Sequence, residues 1–194
     1  EARSLRPDLI TVNAATSACE KGKQWRLALR VLDESRQGGH AAPDVVGCSA
    51  AISACDKDKG AQWSWAAQLL RHMRWSQCCP NVVTYSAAVR ACTRGREWQW
   101  TSHLLEGCME RGLEPDVVMC NAVLAACEEG QQAESSLHVL ESMCNTGSVP
   151  DLTTYAAAAR ACELRQRHRR ALPVLTSVQR EGLRLTLLTA RPPR

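Results

Sequence analysis

The chain has 194 residues, 45% of them hydrophobic and 23% charged, with a formal net charge of +4. It is too apolar for a disordered chain and long enough to bury a core, yet no run of about 18 apolar residues offers a membrane span. With no Phe and only two Tyr, a large globular core would be unusual, and the abundance of Ala, Leu, Val and Cys points to closely packed helices.

The chain opens on Glu1, partway through a pattern, and so reads as a fragment or a processed product, with any targeting segment lying upstream. Residues 1–8 read as the end of a preceding unit. From Leu9, LITVNAATSACEKG predicts a helix that breaks near Gly22, followed by a second helix carrying Trp25, Leu29 and Leu32. VVGCSAAISACDKD begins the next unit at Val45; its inner turn, DKDKGAQ, is two residues longer and still leads to Trp63. In the third unit, VVTYSAAVRACTRG, Val82, Tyr85, Val89 and Cys92 follow the rhythm of one buried helix face. Arg94-Gly95-Arg96 breaks that helix. A second one starts near Glu97, buries Trp98, Leu105, Cys108 and Met109, and stops at Gly112 and Pro115. VVMCNAVLAACEEG follows from Val117 with a break near Gly130, and LTTYAAAARACELR from Leu152 is a degenerate fifth copy.

The units are therefore 9–44, 45–81, 82–116, 117–151 and 152–186, with a tail at 187–194. Pro7, Pro43, Pro80, Pro115 and Pro150 mark intervals of 36, 37, 35 and 35 residues. A two-helix unit cannot hide its apolar face alone, and stacked copies bury it between them. The expectation is an all-α, right-handed α-solenoid of ten helices in five hairpins. Equivalent positions on successive first helices would line one concave side.

The eleven cysteines do not form a disulfide framework in this pattern. Cys19, Cys55, Cys92, Cys127 and Cys162 all take the eleventh place of a unit, on an apolar helix face, as buried thiols of a reducing compartment do. Cys78-Cys79 is a vicinal pair and no CxxC occurs, so zinc ligation has no support. Trp25 and Trp63 match Trp98 and belong to the helix packing. Trp65, Trp75 and Trp100 fall outside that register and face solvent or a neighbouring chain. His40, His72, His103, His138 and His168 do not recur in register and read as surface residues. No cofactor is expected.

The frame P-D-V-V-T-Y-S-A-A-V-R-A-C, recurring from Pro7 to Thr186 at about 35 residues, resembles the pentatricopeptide repeat. Tetratricopeptide repeats share the helix pair but need a different Trp, Leu, Gly and Tyr pattern in the first helix. The resemblance implies a binder of single-stranded RNA in mitochondria or plastids, reading one base per repeat, with a role in RNA processing, stability or translation. It implies that residue five and the last residue of each repeat together read the base: Asn13 with Asp44, Ser49 with Asn81, Ser86 with Asp116, and Asn121 with Asp151. Ala156 with Thr186, in the last repeat, matches no well-understood pair. Residue two would pack against the base, as Ile10, Val46, Val83 and Val118, with Thr153 in the last repeat. Residue thirteen, near the phosphates, is Lys21, Lys57 and Arg94. Glu129 departs from that pattern.

Donor and acceptor chemistry agrees with the implied pairing. An ionised Asp only accepts and suits U or G, whereas Asn also donates and suits A or C. The resemblance further implies Asn at position five for pyrimidines and Ser for purines, so that the four pairs spell 5′-UAGU-3′. Three alternatives stay open, one of them a degenerate scaffold with no tight ligand, since four readable repeats are few. Asn, Ser and Asp also cap helices and turns, and a groove of this kind also suits a peptide or partner helix, a reading favoured by the low net charge and by Glu128-Glu129. The basic stretch RQRHRR, residues 165–170, is either a second phosphate contact or a solvated helix start. Neither the deaminase-like nor the nuclease motif carried by some members of the family follows Thr186, so the chain is expected not to be an enzyme.

Overall fold

The computed structural model describes residues 8–37, 43–58, 62–75, 78–145 and 150–163. Among them are nine α-helices and no strand: α1 (Leu9–Lys21), α2 (Trp25–Gln37), α3 (Val45–Lys57), α4 (Trp63–Trp75), α5 (Val82–Arg94), α6 (Trp98–Met109), α7 (Val117–Glu129), α8 (Ala133–Asn145) and α9 (Leu152–Glu163). The fold is an all-α helical-repeat solenoid. The expected tenth helix, His40, His168, Thr186, residues 165–170 and the side chains of Trp75 and Cys162 lie outside the described residues. No helix among the described residues is long and apolar enough to cross a membrane.

Each odd-numbered helix starts for the same reason. The residue after proline folds its side chain back to accept from the third backbone N–H of the helix, which water would otherwise have to satisfy. Asp8 accepts from Thr11 N at 2.8 Å, Asp44 from Gly47 N at 3.0 Å and Asn81 from Thr84 N at 2.9 Å. Asp116 accepts from Met119 N at 2.7 Å and Asp151 from Thr154 N at 2.8 Å. Each such cap stabilises its helix by about 1 kcal/mol.

The helices end on a second recurring device. Gln24, Glu97 and Gln132 donate their N–H to the carbonyls of Cys19, Cys92 and Cys127, five residues back. This closure requires a left-handed residue in between. It is not glycine: Lys23, Arg96 and Gln131 take φ of 55°, 60° and 53°. The glycines expected to break these helices stand one residue earlier, and Gly22 and Gly95 have right-handed helical backbone at φ −77°. Among the described residues, α6 alone closes on a left-handed glycine, Gly112 at φ 71°.

The chain divides into two compact units, Glu1–Met119 and Cys120–Arg194, with the boundary inside α7. In the first unit α1, α3 and α5 pack side by side, and α2 and α4 each lie against their own first helix and the next one. Small residues permit that closeness: Ala51, Ala54, Cys55, Ala88, Ala91 and Cys92 are all fully buried. Tyr85, Val89 and Cys92 are buried as their periodicity required, whereas Trp98 and Met109, at the two ends of α6, are half-buried. In the second unit α8 packs on α9, and Val123, Leu124, Met143 and Ala158 are buried.

Cys19, Cys55, Cys92 and Cys127 are buried free thiols. Burial pushes Cys55 and Cys92 up to about 12, far above the range in which a thiolate forms at neutral pH.

Candidate nucleic-acid interface

The capping residues and the residues at position five meet. Asn13 donates from Nδ2 to Asp44 Oδ2 at 3.0 Å, and Ser86 donates to Asp116 Oδ1 at 3.2 Å. Ser49 reaches Asn81 through a third side chain: its hydroxyl lies 2.7 Å from Thr84 Oγ1, which is 2.9 Å from Asn81 Oδ1. Between Asn121 and Asp151 lies Thr154 Oγ1, 2.7 Å from Asn121 Oδ1 and 2.7 Å from Asp151 Oδ1, and its one hydrogen can be given to either acceptor. Asn121 Nδ2 also makes a long contact of 3.5 Å to Thr153 Oγ1. Hydrogen bonds from Thr153 and Thr154 hold the Asp151 carboxyl at about 2.

Exposure differs among these residues. Asn13, Ser49 and Asn121 are half-buried, while Ser86 is 3% exposed beneath its bond to Asp116. The residues at position two are the opposite. Ile10, Val46, Val83 and Val118 are 78%, 57%, 65% and 58% exposed, an unusual cost for aliphatic side chains in the first turn of a helix. A cleft of ≈ 290 Å³ within the first unit gathers Val46, Ser49, Asn81 and Val83, with Ser53 and Arg90 farther along its wall. Residues separated by up to 44 positions in sequence, from Val46 to Arg90, thus line one cleft that holds both exposed valines and hydrogen-bonding groups.

A pentatricopeptide repeat domain model matches residues 40–94 and 103–165, over half of the chain. The chain belongs to the pentatricopeptide repeat family. No curated protein sequence matches it. Among solved structures, it is similar to the PPR domain of Arabidopsis thaliana protein-only RNase P 1 in complex with tRNA, at TM-score 0.76 and 16% identity over 96% of this chain and 93% of that one. It is similar to the pentatricopeptide repeat protein PPR10 in complex with an 18-nt psaJ RNA element, at TM-score 0.69 and 26% identity over 90% of this chain. A. thaliana nuclear proteinaceous RNase P 2 matches at TM-score 0.77 and 15% identity over 89% of this chain. The chain spans 25% of the PPR10 chain and 38% of the RNase P 2 chain.

Within this pentatricopeptide repeat chain, the basic residues at position thirteen are already engaged. Lys57 Nζ lies 2.8 Å from Glu20 Oε1, and Arg94 Nε 3.2 Å from Asp56 Oδ1. Arg90 holds the other Asp56 oxygen at 3.1 Å, so the 5% exposed carboxylate of Asp56 sits between two guanidinium groups. Lys21 is exposed and its charge acts on neighbouring Glu20. Partial burial raises the Glu20 carboxyl, but hydrogen bonds from Lys57 and Ser53 outweigh that and leave it below its usual value. In the second unit Arg160 pairs with Glu128 at 2.7 Å.

Of these acidic partners at position twelve only Glu128 was singled out from the sequence, although the signal is there: CEK, CDK, CEE and CEL put an acid after four of the five register cysteines. The bridging Thr84 and Thr154 were missed as well. Among the described residues no group of His, Cys, Asp and Glu is placed to hold a metal ion.

Two of the tryptophans outside the register, Trp65 and Trp100, also have partners. Trp65 stacks on Trp25 at 6.3 Å between ring centroids, and Trp100 stacks on Trp63 at 6.1 Å. Each out-of-register ring, half-exposed itself, thus covers the register ring of the preceding repeat.

Proposed function

We propose that this chain binds single-stranded RNA, one base per repeat, as a non-catalytic module acting on RNA in a mitochondrion or plastid. The observation that carries the reading is the cleft of Val46, Ser49, Asn81 and Val83. Two exposed valines at its flanks suit the faces of a base, whose apolar area they would cover. Hydrogen-bonding groups on the floor suit a base edge. The RNA named with PPR10 supports the same reading.

The edge chemistry then assigns bases. Asp44, Asp116 and Asp151 accept only, which suits the N–H of U or G. Asn81 commits Oδ1 to its cap and keeps Nδ2 for the ring nitrogen of A. With Asn13 and Asn121 for pyrimidines and Ser49 and Ser86 for purines, the sequence read is 5′-UAGU-3′. Lys21, Lys57 and Arg94 supply the phosphate contacts, and a phosphate there exchanges with Glu20 or Asp56 for the same cation. RNA processing, stability or translation is the role in which such a module serves.

A second reading, a scaffold for a protein partner, is favoured by that internal compensation of charge. In-vitro selection from a random single-stranded RNA pool at low salt separates the two. Enrichment of UAGU-containing RNA is expected. Recovery of a pool with no shared sequence overturns the RNA reading.

A further inference from the structure

The reading pairs differ in a way their own identities do not explain. Asn13–Asp44 and Ser86–Asp116 touch directly, whereas Ser49–Asn81 and Asn121–Asp151 are joined through a hydroxyl. What separates the two groups is residue three of the following repeat, which is Gly47, Thr84, Met119 or Thr154. We propose that this residue is a further specificity-determining position, which sets whether the reading pair is bonded directly or through a relay and so which hydrogens and lone pairs it presents to a base.

The Thr84 relay can be assigned atom by atom. The backbone N–H of Asn81 donates to Thr84 Oγ1 at 3.3 Å, and Thr84 Oγ1 donates to Asn81 Oδ1 at 2.9 Å. A hydroxyl has one hydrogen. With that hydrogen on Asn81, the 2.7 Å contact to Ser49 requires Ser49 to be the donor. Ser49 therefore turns its hydrogen inward and shows lone pairs outward. Asn81 Oδ1 accepts from both Thr84 N and Thr84 Oγ1, which uses its two lone pairs and leaves Nδ2 as the outward group. Thr84 is fully buried, so no water competes for the relay. Thr154, also fully buried, lies between Asn121 Oδ1 and Asp151 Oδ1; both of these only accept, so its one hydrogen serves one of them at a time.

Gly47 acts by its lack of a side chain. A Cβ there would lie 2.7 Å from Asn13 Oδ1, so any larger residue would push Asn13 off its bond to Asp44. Met119, buried and without a hydroxyl, leaves Ser86 to bond Asp116 itself.

This rests on the base-reading assignment above, and the test keeps the two apart. Affinities of the whole chain for UAGU and UGGU are measured with the unsubstituted protein, Thr84→Val and Thr84→Ser. Thr84→Val keeps the shape and removes the hydroxyl. It frees the Ser49 hydrogen and one Asn81 lone pair, so the preference for A over G at the second base should fall about fivefold. Thr84→Ser should restore it, and preferences at the other three bases should not change. If Thr84→Val weakens both RNAs by one factor and leaves their ratio intact, Thr84 only caps α5 and the proposal is overturned. If the unsubstituted chain binds both RNAs equally, the base reading itself has failed and the proposal falls with it, a result visible before any variant is made. Should Thr84→Val not fold, Thr154→Val poses the same question at the fourth base. There the preference for U over C should drop by a similar factor, and an unchanged ratio again overturns the proposal.

Discussion

Substituting alanine at Gly95 and at Gly22 asks what a glycine at one repeat position is for. Both sit at the C-cap of a first helix with φ −77°, where alanine is conformationally acceptable. A Cβ on Gly95, however, would lie 2.5, 3.0 and 3.3 Å from Cδ1, Cγ and Cβ of Trp63. These are the root of the tryptophan side chain, so the indole must tilt as a whole and loosen its stack on Trp100. Overpacking of this kind costs about 1–3 kcal/mol, and a disturbed aromatic pair adds up to about 1.5 kcal/mol. Restricting the unfolded chain returns about 0.4–1 kcal/mol, which leaves a net destabilisation of about 1–3 kcal/mol. On Gly22 the nearest atom to a new Cβ is its own helix's Ala18 carbonyl oxygen at 3.4 Å, with no ring nearby. Gly22→Ala should therefore be neutral or stabilising by a few tenths of a kcal/mol. Urea unfolding of both variants, followed by helical circular dichroism, measures the difference. Equal midpoints for the two variants would refute the packing argument, as would a loss in Gly95→Ala that persists undiminished when Trp63 is first replaced by Leu.

Asp116→Asn retains the oxygen that caps α7 through Met119 N and exchanges the outer acceptor for a donor. Binding should move from UAGU towards UAAU by roughly 1–3 kcal/mol, whereas an equal loss on both RNAs in a titration would make Asp116 structural. Native alkylation at pH 8 should modify exposed Cys79 first and spare Cys55 and Cys92. With thiols held near 12, only about 10⁻⁴ of each is thiolate at that pH, and mass mapping of the labelled sites checks the order. For Asp151 the folded carboxyl titrates near 2 instead of 3.8. Its lowered value stabilises the fold above about pH 4, and that contribution is lost as pH falls from about 4 towards 2. Fourth-base preference should accordingly stay flat between pH 5 and 8 while acid unfolding steepens below 4, and Asp151→Asn should remove that steepening.

The helix starts were legible because Pro-Asp and Pro-Asn carry their chemistry locally: the proline stops one helix and the next side chain caps another. The buried cysteines were legible too, since a fixed eleventh place on an apolar face has only one physical use. The helix ends were not. Lys23, Arg96 and Gln131 are poor candidates for left-handed backbone, and the geometry comes from closing a hydrogen bond onto the cysteine carbonyl, which leaves no mark in the side chains. Trp65 and Trp100 were legible in part: they are half-exposed as expected. Two residues past a half-buried tryptophan, they lie on a different face of their own helix, and only the neighbouring repeat shows what that face meets. Position five and the last residue of each repeat could be named from the sequence, but not the network joining them. Thr84 and Thr154 look like ordinary residues of a first helical turn until they are seen to touch a side chain some 33 to 35 residues away in sequence.

Asn81 and Asp44 each do two jobs with one side chain, and this limits the alphabet in which a molecule of this kind can be written. A letter at the last position of a repeat must fold back onto the next helix and still leave a hydrogen-bonding group facing outward. Asp and Asn manage both, Ser and Thr have one oxygen to divide between the tasks, and Glu, Gln, Lys and Arg are not favoured caps. On the RNA reading, rewriting a base therefore also edits the punctuation. A substitution chosen for its hydrogen-bonding edge alone forfeits about 1 kcal/mol of helix stability, repeat by repeat, so the vocabulary open to evolution or to an engineer is set as much by how helices begin as by how bases are told apart.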